Sequence, residues 1–378
     1  MVIFSFLNGV HSLSIPVILT VFSKTYEVLY QCLYILRSSK FDMSCSGEVF
    51  DDDNELIQIK PSVTKLLRNA KYGTYGHSTV DVCHWTKRSF RDEGDCYKHK
   101  FYGISTHRCM EFSPAGMYCE NRCVYCWRPM EFYNSIKMKP DNVSEPNEIV
   151  LKLMEERKRL IIGHKGDPKQ NHKKIDESLL PTHYAISLSG EPTMYPKLPD
   201  LIKYLKNLPA TKSIFLVTNG QEPEMLTKLN RENALPTQLY LSTNAYDQES
   251  FIKINRPRYN DAWERWNRSL LILSKLNTRT VLRITLIKGY NDSKKNVRGF
   301  NKLINISQPN FIEIKSYMHI GRSINRLDRD NMLDMDEIRY FASQILKNDD
   351  TLLFMDESEI SRIVVLHNNQ KLTNRFIN

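Results

Sequence analysis

The sequence predicts an α/β fold, a partial (β/α)6 TIM-like barrel with an added N-terminal segment. Two observations point there. From residue 107 to residue 347, short apolar runs alternate with helical runs, as expected of parallel βα units whose strands are buried on both faces. Polar, turn-forming motifs follow those strands one after another, at the ends where such barrels place their chemistry. A chain of 378 residues has room for a core of this size in one domain, and two domains are within its length.

The strand candidates are 107–112, 183–189, 213–218, 238–242, 280–287 and 311–316. Each is short and apolar. Helical candidates at 145–160, 198–208, 222–230, 262–276, 293–306 and 336–347 separate and follow them. Ser189-Gly190-Glu191-Pro192-Thr193 comes after the second strand and Thr218-Asn219-Gly220 after the third. Ser242-Thr243-Asn244, Lys288-Gly289-Tyr290-Asn291 and Tyr317 to Arg322 close the fourth, fifth and sixth. One such motif alone is an ordinary turn or helix cap. Five in register at strand ends point to a binding mouth. The insertion 163–181 carries Lys165, Lys169, Lys173 and Lys174 with His164 and His172; it reads first as a solvated loop, and second as a contact to phosphates.

Composition bounds the partners. Charged residues make up 25% and hydrophobic residues 41%, which reads as globular. Eight cysteines in so long a chain do not suggest a secreted disulfide scaffold; metal or catalytic use in a reducing compartment is expected. Residues 1–60 hold four Lys/Arg against seven Asp/Glu, which leaves the rest at +13 out of a total of +10. A basic body suits a polyanion such as RNA. Met1 to Phe22 has no Asp, Glu, Lys or Arg, so residues 2–22 are read equally as a membrane tether on a cytoplasmic protein or as a dispensable extension. Residues 38–55 read as an acidic linker, and Cys32 and Cys45 are given no role. The expected domains are an extension over 1–60 and a catalytic body over 61–378, divided into a cysteine-bearing segment at 61–112 and the barrel at 107–366.

Cys119-Glu120-Asn121-Arg122-Cys123-Val124-Tyr125-Cys126 is the strongest local signal. Three thiolates at this spacing converge on one inorganic centre, and iron–sulfur clusters take cysteines at comparable intervals. One iron of a four-iron cluster would remain open for another ligand. Cys83, Cys96 and Cys109 precede the triad at intervals of 13 residues, so six cysteines fall into two sets of three. Zinc bound by some of these with His84, His99 or His107 is the alternative.

The triad resembles the signature of the radical S-adenosylmethionine (SAM) superfamily. A wider set of motifs resembles one of its families, the tRNA 4-demethylwyosine synthases of wybutosine biosynthesis, over residues 61–371. These motifs are Tyr75-Gly-His-Ser, Cys83-His-Trp-Thr-Lys, Cys96-Tyr-Lys-His-Lys-Phe-Tyr-Gly, His107-Arg-Cys-Met, Ser189-Gly-Glu-Pro-Thr-Met-Tyr-Pro, Leu216-Val-Thr-Asn, Asn255-Arg-Pro and Glu313-Ile-Lys. The resemblance implies a barrel of the radical-SAM type and a lyase that condenses N1-methylguanosine-37 of tRNA-Phe with pyruvate. It implies two [4Fe–4S] clusters, held by Cys119, Cys123 and Cys126, and by Cys83, Cys96 and Cys109. It implies that Lys98 binds pyruvate, and that SAM is bound by Ser189, Gly190, Glu191, Thr218, Asn219 and Ser242. It further implies a monomer served by an outside one-electron donor, a flavodoxin, ferredoxin or reductase, because sixty residues cannot hold the flavodoxin-like domain of many eukaryotic members. Asn244 and Asn255 depart from the family, which often has Asp there. A radical-SAM enzyme acting on another RNA, and a zinc-stabilised RNA-binding protein without activity, are the competing readings.

Overall fold

Alternation of outward and inward side chains turns the apolar runs into a sheet with helices on one face. The structure, a computed structural model, describes residues 56–134, 137–371 and 373–377. The apolar stretch 2–22, the linker 38–55, Cys32 and Cys45 lie outside the described residues.

Six strands pair in parallel: β3 (Cys109–Ser113), β4 (His183–Ile186), β5 (Ser213–Thr218), β6 (Gln238–Thr243), β7 (Arg279–Leu286) and β8 (Phe311–Ser316). They are the six strands expected, within a few residues at each end. Antiparallel strands extend the sheet on both sides: β1 (Gly73–Tyr75) and β2 (Ser78–Asp81) beside β3, and β10 (Ile363–Asn368) then β9 (Leu352–Ser358) beside β8. The sequence reading missed these four. β1, β2 and β9 are short or partly exposed, so they lack the continuous apolar run that marks a strand buried on both faces; β10 does carry such a run, at 363–366, but it lies outside the alternation of strands and helices.

Helices α1 (Pro61–Asn69), α2 (His84–Phe90) and α3 (Tyr97–Tyr102) precede the parallel strands. The crossovers carry α4 (Pro146–Ile162), α5 (His172–Ser178), α6 (Leu198–Asn207), α7 (Pro223–Arg231), α8 (Gln248–Asn255), α9 (Ala262–Leu273) and α10 (Lys294–Ser307); α11 (Met335–Lys347) follows β8. Four of the longer ones start with proline in the first turn, where its missing N–H costs nothing. The supposed loop 163–181 is partly helical. Lys165 pairs with Asp176 and Lys174 with Asp92, so two of its four lysines already have acidic partners.

Side chains split cleanly by face. Leu216, Leu239, Leu241, Leu282, Ile284, Ile312 and Ile314 pack outward under the helices. Phe215, Tyr240, Val281, Phe311, Ile363 and Val365 face inward, where Phe101 and Tyr102 of α3 pack on them. The α3 segment therefore fills the barrel interior, and that placement decides where Lys98 lies. Among the described residues, no helix is long and apolar enough to cross a membrane.

Candidate active site

Cys119, Cys123 and Cys126 lie in the crossover loop directly after β3. The loop is irregular, so its backbone groups take partners from elsewhere, as buried backbone must. Arg122 N donates to Asn255 O at 3.0 Å and Val124 N to Ile254 O at 2.9 Å, which ties the loop to the end of α8. Arg326, beyond β8, donates to Val124 O at 3.1 Å and also to Cys126 O. Arg122 Nη1 donates to Cys119 O at 2.7 Å. Asn244 and Asn255 sit here: Asn244 Nδ2 donates to Tyr125 Oη at 2.7 Å and to Asn255 Oδ1 at 2.9 Å, and Asn255 Oδ1 lies 3.6 Å from Cys123 Sγ.

The strand-end motif after β4 closes over this loop. Gly190 has φ +67°, and a Cβ there would stand 1.9 Å from Ala115 O, so only glycine fits. Glu191 N donates to Tyr118 O at 2.6 Å. The Glu191 carboxylate is buried and receives four donors: Thr193 N at 3.1 Å, Thr193 Oγ1 at 2.6 Å, Thr218 Oγ1 at 2.7 Å and Asn219 N at 2.7 Å. Asn219 Nδ2 reaches Glu120 Oε2 at 3.2 Å and Cys119 Sγ at 3.6 Å. The structure thus gathers Glu191, Thr218 and Asn219 beside Cys119. Ser189 points the other way, to Thr79 Oγ1 at 2.9 Å. Ser242 lies one strand further on β6, and its carbonyl is occupied by Trp266 Nε1.

Glu120 is the residue that sequence reasoning overlooked. It is fully buried, and its Oε1 has no hydrogen-bond partner among the described residues. Burial, reinforced by the charge of Glu191, pushes its carboxyl well above the usual range. Burial also raises Glu191, but its four donors favour the ionised form. The signal was present as a charged residue inside the triad, masked by the cysteines around it.

Cys83, Cys96 and Cys109 come from three elements. Cys83 precedes α2, Cys96 precedes α3 and Cys109 opens β3. Burial pushes the Cys96 and Cys109 thiols up to about 12, against the pull of Lys98, while Cys83 raises both further. In the other set burial pushes Cys123 up to about 12, with Cys126 adding to it. Each set therefore interacts within itself. All six cysteines are free of disulfides. Among the described residues, no three His, Cys, Asp or Glu side chains are spaced for one metal ion. The histidines of the zinc alternative are engaged elsewhere: His99 Nδ1 with Ile104 O at 2.9 Å and His107 Nε2 with Glu177 at 2.7 Å, while His84 is exposed.

Lys98 is 9% exposed. Its Nζ lies 4.5 Å from the Phe215 ring centroid and 5.3 Å from that of Tyr240, and it has no hydrogen bond or ion pair among the described residues. Beside it, Glu313 accepts from Tyr102 Oη at 2.9 Å, Tyr97 Oη at 3.2 Å and Arg283 Nε at 3.0 Å. Lys100, two residues on, is exposed and pairs with Asp356 at 2.8 Å.

Comparison with known proteins agrees with this arrangement. The sequence pattern of the radical SAM superfamily matches residues 114–298, and that of wyosine base formation matches residues 306–368. The S-adenosyl-L-methionine-dependent tRNA 4-demethylwyosine synthase of Pyrococcus horikoshii is 41% identical over 326 residues, which cover 82% of this chain and 94% of that protein. That of Methanocaldococcus jannaschii is 38% identical and covers 84% and 99%. The Arabidopsis thaliana synthase is 38% identical over 78% of this chain but only 44% of its own length. A solved structure of TYW1 with a lysine-pyruvate adduct bound superposes with TM-score 0.73 at 37% identity, covering 83% of this chain and 98% of that one. Radical-SAM membership makes SAM and an iron–sulfur cluster the cofactors. With relatives this similar matched over nearly their whole length, the chain belongs to the radical-SAM family of tRNA 4-demethylwyosine synthases and is an enzyme of that family.

Proposed function

We propose that this enzyme condenses N1-methylguanosine-37 of tRNA-Phe with pyruvate to form the tricyclic 4-demethylwyosine, within a catalytic body spanning residues 61–378. The observation that carries the reading is Lys98. It is a buried lysine without a carboxylate partner, held over two aromatic rings next to Cys96 and Cys109. A lysine in such a setting suits imine formation with a ketone, and the TYW1 neighbour carries a lysine-pyruvate adduct.

Cys119, Cys123 and Cys126 are assigned to one [4Fe–4S] cluster and Cys83, Cys96 and Cys109 to a second. SAM is assigned to the space bounded by Gly190, Glu191, Thr218 and Asn219, with Ser189 and Ser242 at its edges. When bound, the first cluster and SAM supply a 5′-deoxyadenosyl radical, with the electron coming from an external flavodoxin, ferredoxin or reductase. The chain's own part is positioning. The Glu191 carboxyl and the open oxygen of Glu120 give a cationic ammonium two carboxyl groups beside Cys119. Lys98 holds pyruvate in the interior, below the mouth where the methylated base enters, and the fixed orientation lowers the entropic cost of joining the two.

The test is anaerobic turnover with SAM, pyruvate and methylated tRNA, followed by borohydride trapping of labelled pyruvate. Label is expected on the peptide containing Lys98 and is lost in Lys98→Arg, which keeps the charge but forms no imine. A Lys98→Arg variant that makes 4-demethylwyosine at the parental rate overturns the assignment.

A further inference from the structure

Segment 373–377 lies at the N-terminal ends of β7 and β8, on the side of the barrel away from the mouth, and nothing so far has used it. Asn310, just before β8, donates to Thr373 Oγ1. Arg279, the first residue of β7, donates to Asn374 O and, through Nη2, to Arg375 O at 3.0 Å. Arg375 then reaches α3. Its Nη2 donates to Lys100 O at 3.0 Å and its Nε to Phe101 O at 3.2 Å. Ile377 N donates to Tyr102 O at 2.9 Å. These are the last three carbonyls of the helix, which no following turn can satisfy. Asp356 of β9 takes the same guanidinium and also Lys100 Nζ, the latter at 2.8 Å. Phe376 lies over Gly103, where a Cβ would stand 2.9 Å from its ring, and Ile377 packs against Phe101 and Tyr102.

A helix of six residues has no stability of its own, so its place is set by what holds it. Cys96 caps the start of α3, and Lys98 stands one turn before Tyr102, whose carbonyl the segment takes. The planar fork of Arg375 spans two carbonyls and a carboxylate together, which a lysine cannot do. The segment thus ties α3 to β7 on one side and to β9 on the other. The triad loop takes its supports elsewhere, from the end of α8 and from Arg326. Resting on the reading that Lys98 takes pyruvate, we propose that segment 373–377 is a clasp, with Arg375 as its positioning residue, that fixes α3 and so aims Lys98 for reaction.

The test reads the helix and the lysine separately. Iron-loaded parent, Arg375→Met and Arg375→Lys are compared by native-state hydrogen exchange, by the rate of borohydride trapping of labelled pyruvate, and by release of 5′-deoxyadenosine from SAM. In Arg375→Met, exchange over residues 97–103 should quicken roughly 10- to 100-fold, the range of hydrogen bonds from a charged donor, with α6 and α9 unchanged. Labelling of Lys98 should slow roughly 10-fold or more, because a small misplacement of a reacting group costs that order. Release of 5′-deoxyadenosine, which belongs to the triad, should keep the parental rate. Arg375→Lys keeps a charge for Asp356 but not the fork over the carbonyls, and should fall between parent and Arg375→Met on both readouts. Unchanged exchange in α3, or exchange that quickens equally in α3, α6 and α9, overturns the clasp. Quickened exchange in α3 with Lys98 labelled at the parental rate overturns the positioning role, since the helix is then held without the lysine being aimed. Labelling and 5′-deoxyadenosine release that fall together mark a general loss of structure and overturn it as well. Absence of label on the Lys98 peptide of the parent defeats the underlying reading, and is seen without any Arg375 variant.

Discussion

The two groups of three cysteines differ in what holds them in place. Cys119, Cys123 and Cys126 share one loop, whose shape comes from backbone hydrogen bonds, from its own Arg122, and from Arg326 reaching in from beyond β8. Cys83, Cys96 and Cys109 are brought together only when α2, α3 and β3 have packed. One group is a local device set into a finished barrel, and the other is a junction of tertiary structure. The first should be separable from folding; the second should not.

Loss of cysteines gives the largest expected effects. Anaerobic reconstitution of the parent is expected to give about eight iron and eight sulfide on the chemistry of cysteine ligation. Replacing Cys119, Cys123 and Cys126 together with alanine should leave about half of that and abolish release of 5′-deoxyadenosine from SAM. Cys83→Ala should retain SAM cleavage, lose the tricyclic product and open residues 83–109 to protease. Stoichiometric zinc without acid-labile sulfide overturns the cluster assignment, and protease resistance in Cys83→Ala that matches the triad variant removes the contrast between the groups.

Next is Gly190→Ala, which attacks the first group through its roof. The added methyl needs both a positive φ and room now filled by Ala115 O and Tyr118 O. Strain and overlap together should cost at least about 3 kcal/mol, read as a fall in urea midpoint. A midpoint within error of the parent means that the loop after β3 yields more easily than its bonding suggests.

Arg157 is the corresponding probe of the second group. It is buried on α4, donates to Cys109 O at 2.9 Å and to Ser178 O, and has no carboxylate partner among the described residues. Burial draws its pKa down to about 10, while ionised Cys109 and Cys83 would raise it. A cluster held by these cysteines would keep their sulfurs as thiolates and so give the guanidinium a counter-charge. Arg157→Met should therefore destabilise the iron-loaded protein by about 1–3 kcal/mol and the iron-free protein by less. Equal losses in both states show that Arg157 serves the backbone alone.

How much of this was legible follows the same division. The triad could be read directly, because its ligands are neighbours in sequence, and so could all six parallel strands, each a buried run. The strand-end motifs after β4 and β5 lie together beside Cys119, and Glu191 is a brace for Thr193, Thr218 and Asn219. Glu120 was passed over for a physical reason. A charged residue within an apolar or cysteine-rich run looks like a solvated side chain until the fold shows it buried without a partner. Strands β1, β2 and β9 were lost because they are short or half-exposed, whereas β10 carries a buried apolar run at 363–366 that fell outside the alternation of strands and helices.

His77 holds the start of the loop after β3 and gives the smallest and most gradual effect. It sits in the turn between β1 and β2; its Nδ1 pairs with Pro114 O, and its Nε2 accepts from Ser144 N at 2.9 Å. This fixes the neutral tautomer, with Nδ1 as donor. Burial lowers its pKa from 6.5 to about 4. Above pH 6.5 neither the folded nor the unfolded chain binds the proton, and the contact contributes in full. Between pH 6.5 and 4 the unfolded chain takes up a proton that the folded chain refuses, so stability falls as pH falls, by about 1.4 kcal/mol per unit. Below pH 4 both states are protonated and the loss levels off near 3 kcal/mol, by the same arithmetic. Buried His183, also lowered to about 4, adds a parallel term that remains when His77 is replaced. Urea unfolding of the parent and of His77→Asn at pH 7, 6, 5 and 4.5 isolates the His77 share as the difference between the two slopes, since carboxylates titrate alike in both. Asparagine can still donate to Pro114 O, so the variant should lose stability at pH 7 yet lose less on acidification. Parallel slopes would assign the acid sensitivity to other groups.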